Sequence, residues 1–198
     1  AILSGALNFR GRRYPFQSFQ ALSKESPEGW CEHLHGFTWL ADLRSAGTPR
    51  ARRRGQVLIS DWLSQFDDWE PFVWRPDIIG SRLANWITHF AFYTADADAQ
   101  FREKLFASLA RQSRHLSRSS HLARPGLETV AALRGLIYAG IAVPESDNFL
   151  AQGLELLETE TGKQVLPDGG HISRNPHAQL RMLRALLEIR DALTAAHI

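Results

Sequence analysis

Only three of the 23 basic residues in this 198-residue sequence are lysine, and only one residue is cysteine. The lone Cys31 excludes an internal disulfide and any zinc site built from cysteines. No apolar run approaches the roughly 20 residues that a membrane-spanning helix needs, so no membrane partner is expected. The first residues carry no Lys/Arg cluster ahead of an apolar stretch, so no signal peptide is visible.

The remaining 20 basic residues are arginine, although the formal net charge is only +2. A guanidinium group binds a carboxylate or sulfate through two parallel hydrogen bonds. The excess of arginine is therefore typical of a protein that binds an acidic sugar or a phosphate. A GC-rich genome would produce the same bias through its codons, so composition alone leaves the ligand open. No nucleic-acid motif accompanies the arginines, and no helix carries the His/His or Cys/His spacing of a metal site. We therefore expect no nucleic-acid partner, no metal and no cofactor.

Apolar residues recur at spacings of three and four over most of the chain, which predicts helices. Residues 1–31 instead mix turn formers with aromatics and are predicted to form a short irregular arm or short strands, and no helix. The segment 127–141 is apolar nearly all round and is predicted to be a buried inner helix. Trp39, Trp62 and Trp86 are assigned to the core. The seven predicted helices span residues 33–46, 49–66, 76–90, 98–118, 127–141, 144–162 and 176–194.

Short loops make sequential helices antiparallel neighbours, so the pattern predicts an all-α array of helical hairpins. Four stretches then carry a resemblance. They are WCEHLHGFTWLADL at 30–43, PDIIGSRLANW at 76–86, AGIAVPESDNFLAQGLELLETE at 139–160 and LPDGGHISRNP at 166–176. In this order they resemble the N-terminal domain of heparinase II/III-like polysaccharide lyases.

The resemblance implies an incomplete (α/α) toroid of antiparallel helical hairpins, followed by an antiparallel β-sandwich that closes a substrate cleft. Residues 32–198 would form the toroid domain behind the arm of residues 1–31. The sequence stops about one hairpin short of the expected toroid, and no sandwich follows, so we expect a truncated domain. Its partners would be an acidic polysaccharide and its own C-terminal β-sandwich. The family also implies a periplasmic or secreted protein, and the sequence leaves the compartment open.

Lyases of this family cleave the bond at C4 of a uronic acid by β-elimination. One group must neutralise the uronate carboxylate, a base must take the C5 proton, and an acid must protonate the departing O4. We expect this activity only when the sandwich domain is present. The alternative is a toroid that binds acidic glycans without catalysis. A third hypothesis is an Arg-rich helical scaffold that binds polyanions.

Only some of the family's catalytic residues have a counterpart in this sequence. His171 matches the family motif, but Ala178 occupies the place of the expected tyrosine, which leaves the adjacent His177 as an alternative base. The family's Asn-His pair, which would neutralise the uronate, has no direct counterpart. Glu128 stands at the ungapped position and His121 lies nearby, so both stay candidates.

Five residues are predicted to bind the substrate. Arg174 would reach a substrate carboxylate or pair with Asp168, and His171 would face the cleft or hold the turn. Trp69 and Trp74, in a proline-containing loop, are candidates for stacking on sugar rings. Arg118 belongs to a basic stripe that is either a solvated outer face or a subsite for an acidic glycan.

Overall fold

The computed structural model describes residues 2–19, 26–144 and 148–198, in which nine α-helices follow one β-hairpin. In the hairpin, β1 (Ala6–Phe9) pairs antiparallel with β2 (Arg12–Pro15). The helices are α1 (Glu28–His35), α2 (Leu40–Ala46), α3 (Pro49–Phe66), α4 (Pro76–Thr88), α5 (Phe90–Thr94), α6 (Ala99–Ser119), α7 (Leu127–Ala142), α8 (Phe149–Gln164) and α9 (Pro176–Ala195). The predicted all-α class is confirmed. None of the described helices is both long and apolar enough to cross a membrane.

The helix predicted over residues 33–46 is in fact two helices. The break lies at Phe37, whose backbone adopts a φ of 57°, a left-handed conformation that no α-helix continues through. Phe37 is fully buried in this conformation, and the Trp39 indole N–H donates to the Leu34 carbonyl at 3.1 Å. Burial of the two rings therefore outweighs continuation of the helix.

Two further predicted helices differ at their ends. The helix predicted over residues 76–90 ends at Thr88, and the short α5 follows it. The helix predicted from Pro144 is found as α8, which begins at Phe149, while Glu145 in its predicted first turn lies outside the described residues. Local capping explains why other predicted starts are accurate. Thr48 and Asn175 each accept a backbone hydrogen bond at the first turn of α3 and α9, and a proline follows each cap.

The chain divides into two compact units, Ala1–Trp74 with Asn85–Ser108 and Arg75–Ala84 with Leu109–Ile198. The arrangement of the helices into a toroid stays a prediction. The first unit is built around aromatic rings, since Trp39, Trp62 and Trp86 are each at most 1% exposed, as predicted. The Trp62 and Trp86 rings meet edge to face with centroids 5.3 Å apart. These rings fill the interior of the first unit.

The second unit is built around α7, which is buried along most of its length, as its apolar sequence predicts. Glycines let the neighbouring helices approach its backbone closely. A Cβ built on Gly80 of α4 would lie 2.3 Å from the Ala131 carbonyl oxygen. A Cβ on Gly140 of α7 would lie 2.4 Å from the Leu150 nitrogen of α8. The close helix packing of the second unit therefore requires glycine, which has no side chain, at these crossings.

We predict that Gly80→Ala lowers the free energy of unfolding by roughly 2–3 kcal/mol, because the added methyl group meets backbone atoms that cannot move aside cheaply. Gly162→Ala is the matched control, since Gly162 lies in α8 and a methyl group added there would have no atom within 4 Å. The control variant is expected to gain up to about 1 kcal/mol from higher helix propensity. Urea unfolding curves of both variants measure the difference, and equal stabilities would contradict the close helix crossing.

Candidate functional site

The turn between α8 and α9 carries the sequence motif that pointed to function. Val165 and His171 form an isolated antiparallel bridge across it. The Leu166 N–H donates to the Gly170 carbonyl at 2.8 Å, and the Gly169 N–H donates to the Leu166 carbonyl at the same distance. Gly169 has a φ of 79°, which a side chain would strain. The motif therefore folds as a closed, hydrogen-bonded turn.

The imidazole of His171 is held on both sides within this turn, and the residue is only 7% exposed. Its Nδ1 accepts a hydrogen bond from the Ser173 backbone N–H at 3.1 Å. Its Nε2 lies 3.0 Å from the Gln164 side-chain oxygen, which can only accept, so Nε2 carries the proton. Both ring nitrogens are thus engaged by protein atoms.

A buried carboxylate stands behind His171. Glu160, only 8% exposed, accepts a hydrogen bond from the Gln164 side-chain amide at 2.5 Å. This contact turns the amide oxygen of Gln164 toward His171. Glu160 also accepts from the Gly126 backbone N–H at 3.3 Å, and Lys163 Nζ lies 3.5 Å from its second oxygen. This carboxylate therefore joins α8 to the loop before α7 directly, and to the turn before α9 through Gln164.

These three segments enclose a pocket of about 570 Å³ in the second unit. Its polar lining residues include His121 and His171, two of the residues selected from the sequence, together with Glu160 and Ser120. The His121 ring has no hydrogen-bond partner among the described residues, and its side chain is exposed. The remaining lining residues are Ala123, Pro125, Gly126, Thr129, Leu133, Leu156, Thr159, Lys163, Gln164 and Ile172.

Arg174 and Asp168 form an exposed ion pair on the same turn, with 2.7 Å between Arg174 Nη1 and Asp168 Oδ2. The Gly170 N–H donates to the other carboxylate oxygen at 3.0 Å. The hydrogen bond from Arg174, followed by that from Gly170, holds the pKa of Asp168 below its usual value. A Cβ at Gly170 would lie 2.7 Å from Arg174 Nη1, so this glycine makes room for the pair.

The other catalytic candidates lie outside the pocket lining. His177 is exposed in the first turn of α9, where its backbone N–H donates to Asn175. Ala178, at the place of the family's tyrosine, is 8% exposed and faces the interior. Glu128 is half-buried near the start of α7. Of the four catalytic candidates, the pocket brings together only His121 and His171.

The binding candidates are dispersed as well. Arg118 is exposed near the end of α6, two residues before the pocket residue Ser120. Trp69 belongs to the first unit and is 65% exposed, so its ring is free to stack on a sugar. The prediction that the Trp74 ring is accessible to a sugar is wrong. It is 4% exposed, and its indole N–H donates to the Phe66 carbonyl at 3.0 Å, which holds the ring in the core.

Sequence reasoning missed the acidic and amide groups behind the turn. Glu160, Lys163 and Gln164 are spaced by three and four residues, so they share one face at the end of α8. That spacing, close to the histidine motif in the sequence, could have predicted that these polar side chains lie near His171. The described residues contain no group of three or more His, Cys, Asp or Glu side chains placed to hold a metal ion.

This chain is similar to a known protein family and to two proteins of known name. The family model of the heparinase II/III N-terminus matches residues 23–198. FtsZ-localized protein C of Caulobacter vibrioides is 35% identical over 163 residues, which cover 81% of this chain and 27% of that protein. Heparin-sulfate lyase of Pedobacter heparinus is 26% identical over 133 residues, 59% of this chain and 20% of the lyase. The chain thus matches about a fifth to a quarter of each relative's length, and no solved structure matches it.

We predict that Glu160→Ala lowers the free energy of unfolding by about 1–3 kcal/mol, because it leaves the Gln164 amide and the Gly126 N–H without their acceptor. Glu158→Ala is the matched control, since Glu158 is an exposed glutamate on the same helix. Thermal or urea unfolding compares the two variants. Equal stability would show that the Glu160 carboxylate does not hold the three segments together.

The Asp168–Arg174 pair predicts a measurable titration. Because the pKa of Asp168 is lowered in the folded protein, the pair stabilises the turn above the ordinary pKa of an aspartate. That effect is lost as the pH falls through the lowered value. Arg174→Asn, which tolerates the left-handed backbone at φ 52°, should return the pKa of Asp168 toward its ordinary value. Carboxyl-carbon NMR titration measures it, with exposed Arg181→Asn as control, and an unshifted pKa in Arg174→Asn would refute the coupling.

Proposed function

Because the chain belongs to the heparinase II/III N-terminal family, we propose that this polysaccharide lyase-related domain binds an acidic, uronate-containing polysaccharide. The observation that carries the proposal is the pocket of about 570 Å³ beside the histidine motif. Its volume lies within the range of about 300–1,000 Å³ that small-molecule and sugar ligands occupy. Its walls combine apolar surface with a few polar groups, as ligand sites do.

Cationic side chains in the segments that line the pocket support an acidic ligand. Arg118 precedes the lining residue Ser120 by two residues, and Arg174 follows the lining residue Ile172 by two residues. Both guanidinium groups belong to exposed residues. Arg174 already binds one carboxylate, that of Asp168, at the surface, where a uronate carboxylate would exchange with it at little cost. Trp69, exposed in the first unit, is a further candidate for stacking on a sugar ring.

Binding without chemistry is the function that these side chains support best. A general base needs a ring nitrogen that is free to take a proton, and both nitrogens of His171 are hydrogen-bonded inside the turn. The residue at the tyrosine position is Ala178, which has no proton to donate or accept. We therefore propose that this domain holds the polymer and leaves proton transfer to groups elsewhere.

A second candidate function is β-elimination by the complete protein, and His121 favours it. Its imidazole lines the pocket and has no hydrogen-bond partner among the described residues. With a uronate bound, His121 would take the C5 proton, the C4–O4 bond would break, and a double bond would form between C4 and C5. An acid supplied by a further domain would protonate the departing O4. Similarity to a heparin-sulfate lyase supports this second function.

We predict that the chain binds heparan sulfate and hyaluronan in calorimetric titrations. Arg118→Ala and Arg174→Asn should each weaken binding about tenfold, because a charge-assisted hydrogen bond is lost. Arg44→Ala is the control, since Arg44 is exposed in α2 of the first unit.

The same mixtures are followed for the ultraviolet absorbance of an unsaturated uronate, and the 198-residue chain alone should produce none. Absence of binding to every acidic glycan would refute the proposed function. Absorbance that disappears in His121→Ala would instead establish the lyase reaction in this chain.

A further inference from the structure

A second pocket, of about 760 Å³, lies in the first unit at the start of α3. Three arginines line it, Arg50, Arg53 and Arg54, and no aspartate or glutamate is among the described residues of the lining. The first turn of α3 has no acidic residue either, although the partial positive charge of a helix N-terminus attracts one. The wall of this pocket therefore concentrates positive charge without a counter-charge.

Two of the three guanidinium groups are held by neutral acceptors. Arg50 Nη2 donates to the Leu3 carbonyl at 3.3 Å. Arg54 Nη2 donates to the Gln17 carbonyl at 2.9 Å and to the Phe16 carbonyl at 3.3 Å. Leu3 and Gln17 line the pocket themselves, so both guanidinium groups lie at its wall. A carbonyl oxygen orients a guanidinium group without neutralising its charge, and each group retains N–H donors that these contacts do not use.

None of these arginines forms an ion pair within the part of the chain that the structure describes. Arg53 is exposed and makes no hydrogen bond there. Asp61 attracts Arg54 from a distance, but its two oxygens accept from the Phe19 N–H at 2.6 Å and the Gln65 amide at 2.5 Å. Burial lowers the pKa of Arg54, because its guanidinium group has lost part of its water, yet an arginine stays charged at neutral pH. An anion in the pocket would therefore relieve the repulsion among three cations.

The number of uncompensated cations points to the chemistry of the ligand. A carboxylate brings a single negative charge, whereas a diphosphate brings several on adjacent oxygens, which guanidinium groups bind through paired hydrogen bonds. The pocket volume lies within the range of about 300–1,000 Å³ of small-molecule sites, which leaves room for an organic part. Val57 is 52% exposed and lines the pocket together with Leu3 and Pro49, so that part would cover apolar surface.

We propose that the pocket at the start of α3 binds a small soluble ligand that carries a di- or polyphosphate group. Arg50 and Arg54, already oriented by backbone carbonyls, hold the phosphate oxygens, and the unpartnered Arg53 completes the site. The site is separate from the one proposed for the polysaccharide, since the two pockets share no lining residue and lie in different units.

Calorimetric titration of the 198-residue chain with inorganic pyrophosphate, in the absence of divalent cations, tests the proposal. Pyrophosphate should saturate a single site and bind at least about tenfold more tightly than sulfate. Arg53→Ala should weaken pyrophosphate binding about tenfold or more, because a charge-assisted hydrogen bond is lost. The Tm of the free protein should not change, since Arg53 has no partner among the described residues. Arg44→Ala is the matched control, because Arg44 is exposed in α2 of the same unit.

Two further measurements separate the charge of the site from its fold and from a membrane surface. Arg53→Gln keeps a long polar side chain without the charge, and it should weaken pyrophosphate binding as Arg53→Ala does. If both variants bind pyrophosphate as tightly as the unchanged protein, or if sulfate binds as tightly as pyrophosphate, the inference is wrong. Sedimentation with phosphatidylglycerol vesicles without any binding of pyrophosphate would assign the arginines to a lipid surface and overturn it as well. Arg174→Asn, in the other pocket's turn, should leave pyrophosphate affinity unchanged.

Discussion

The buried carboxylate of Glu160 is the interaction on which the candidate site depends. A carboxylate taken out of water is costly unless hydrogen-bond donors surround it. Here the donors come from Gln164 on its own helix and from Gly126 in a different segment, and Lys163 stands nearby. The hydrogen bond with Gln164 also orients the side-chain amide of that residue, so that its oxygen faces His171. The proton of the His171 ring therefore lies on Nε2. One buried carboxylate thus links the end of α8 to the loop before α7 directly and to the turn before α9 through Gln164.

That carboxylate can act only because helix packing brings α8 close to α7. The crossing passes through Gly140 on one helix and Gly153 on the other, where a methyl group would meet backbone or side-chain atoms at less than 3 Å. Such contact leaves little freedom for α8 to slide, so the end of the helix is held where Glu160 meets Gly126. The functional groups therefore stand on a tightly packed scaffold, while the turn beyond α8 carries the exposed ion pair.

The site separates two kinds of polar chemistry. Among the residues that line the pocket, Glu160 and Lys163 are paired, and the buried hydroxyl of Ser120 has no hydrogen-bond partner among the described residues. On the exposed surface, Arg118 carries a guanidinium group and Arg174 forms an ion pair with Asp168. A fold of this kind can carry binding or catalysis, and the individual side chains decide which.

The sequence by itself determined features that rest on neighbours along the chain. The three- and four-residue spacings located α3, α6, α7 and α9 closely, and the Thr48-Pro49 and Asn175-Pro176 pairs marked two helix starts. The ordered motifs were enough to identify the family. Tertiary structure alone decided the break at Phe37, the burial of Trp74, and the placement of His121 and His171 at one pocket. Each of these depends on contacts between residues far apart in the chain, whose free energies of burial and hydrogen bonding no local pattern contains.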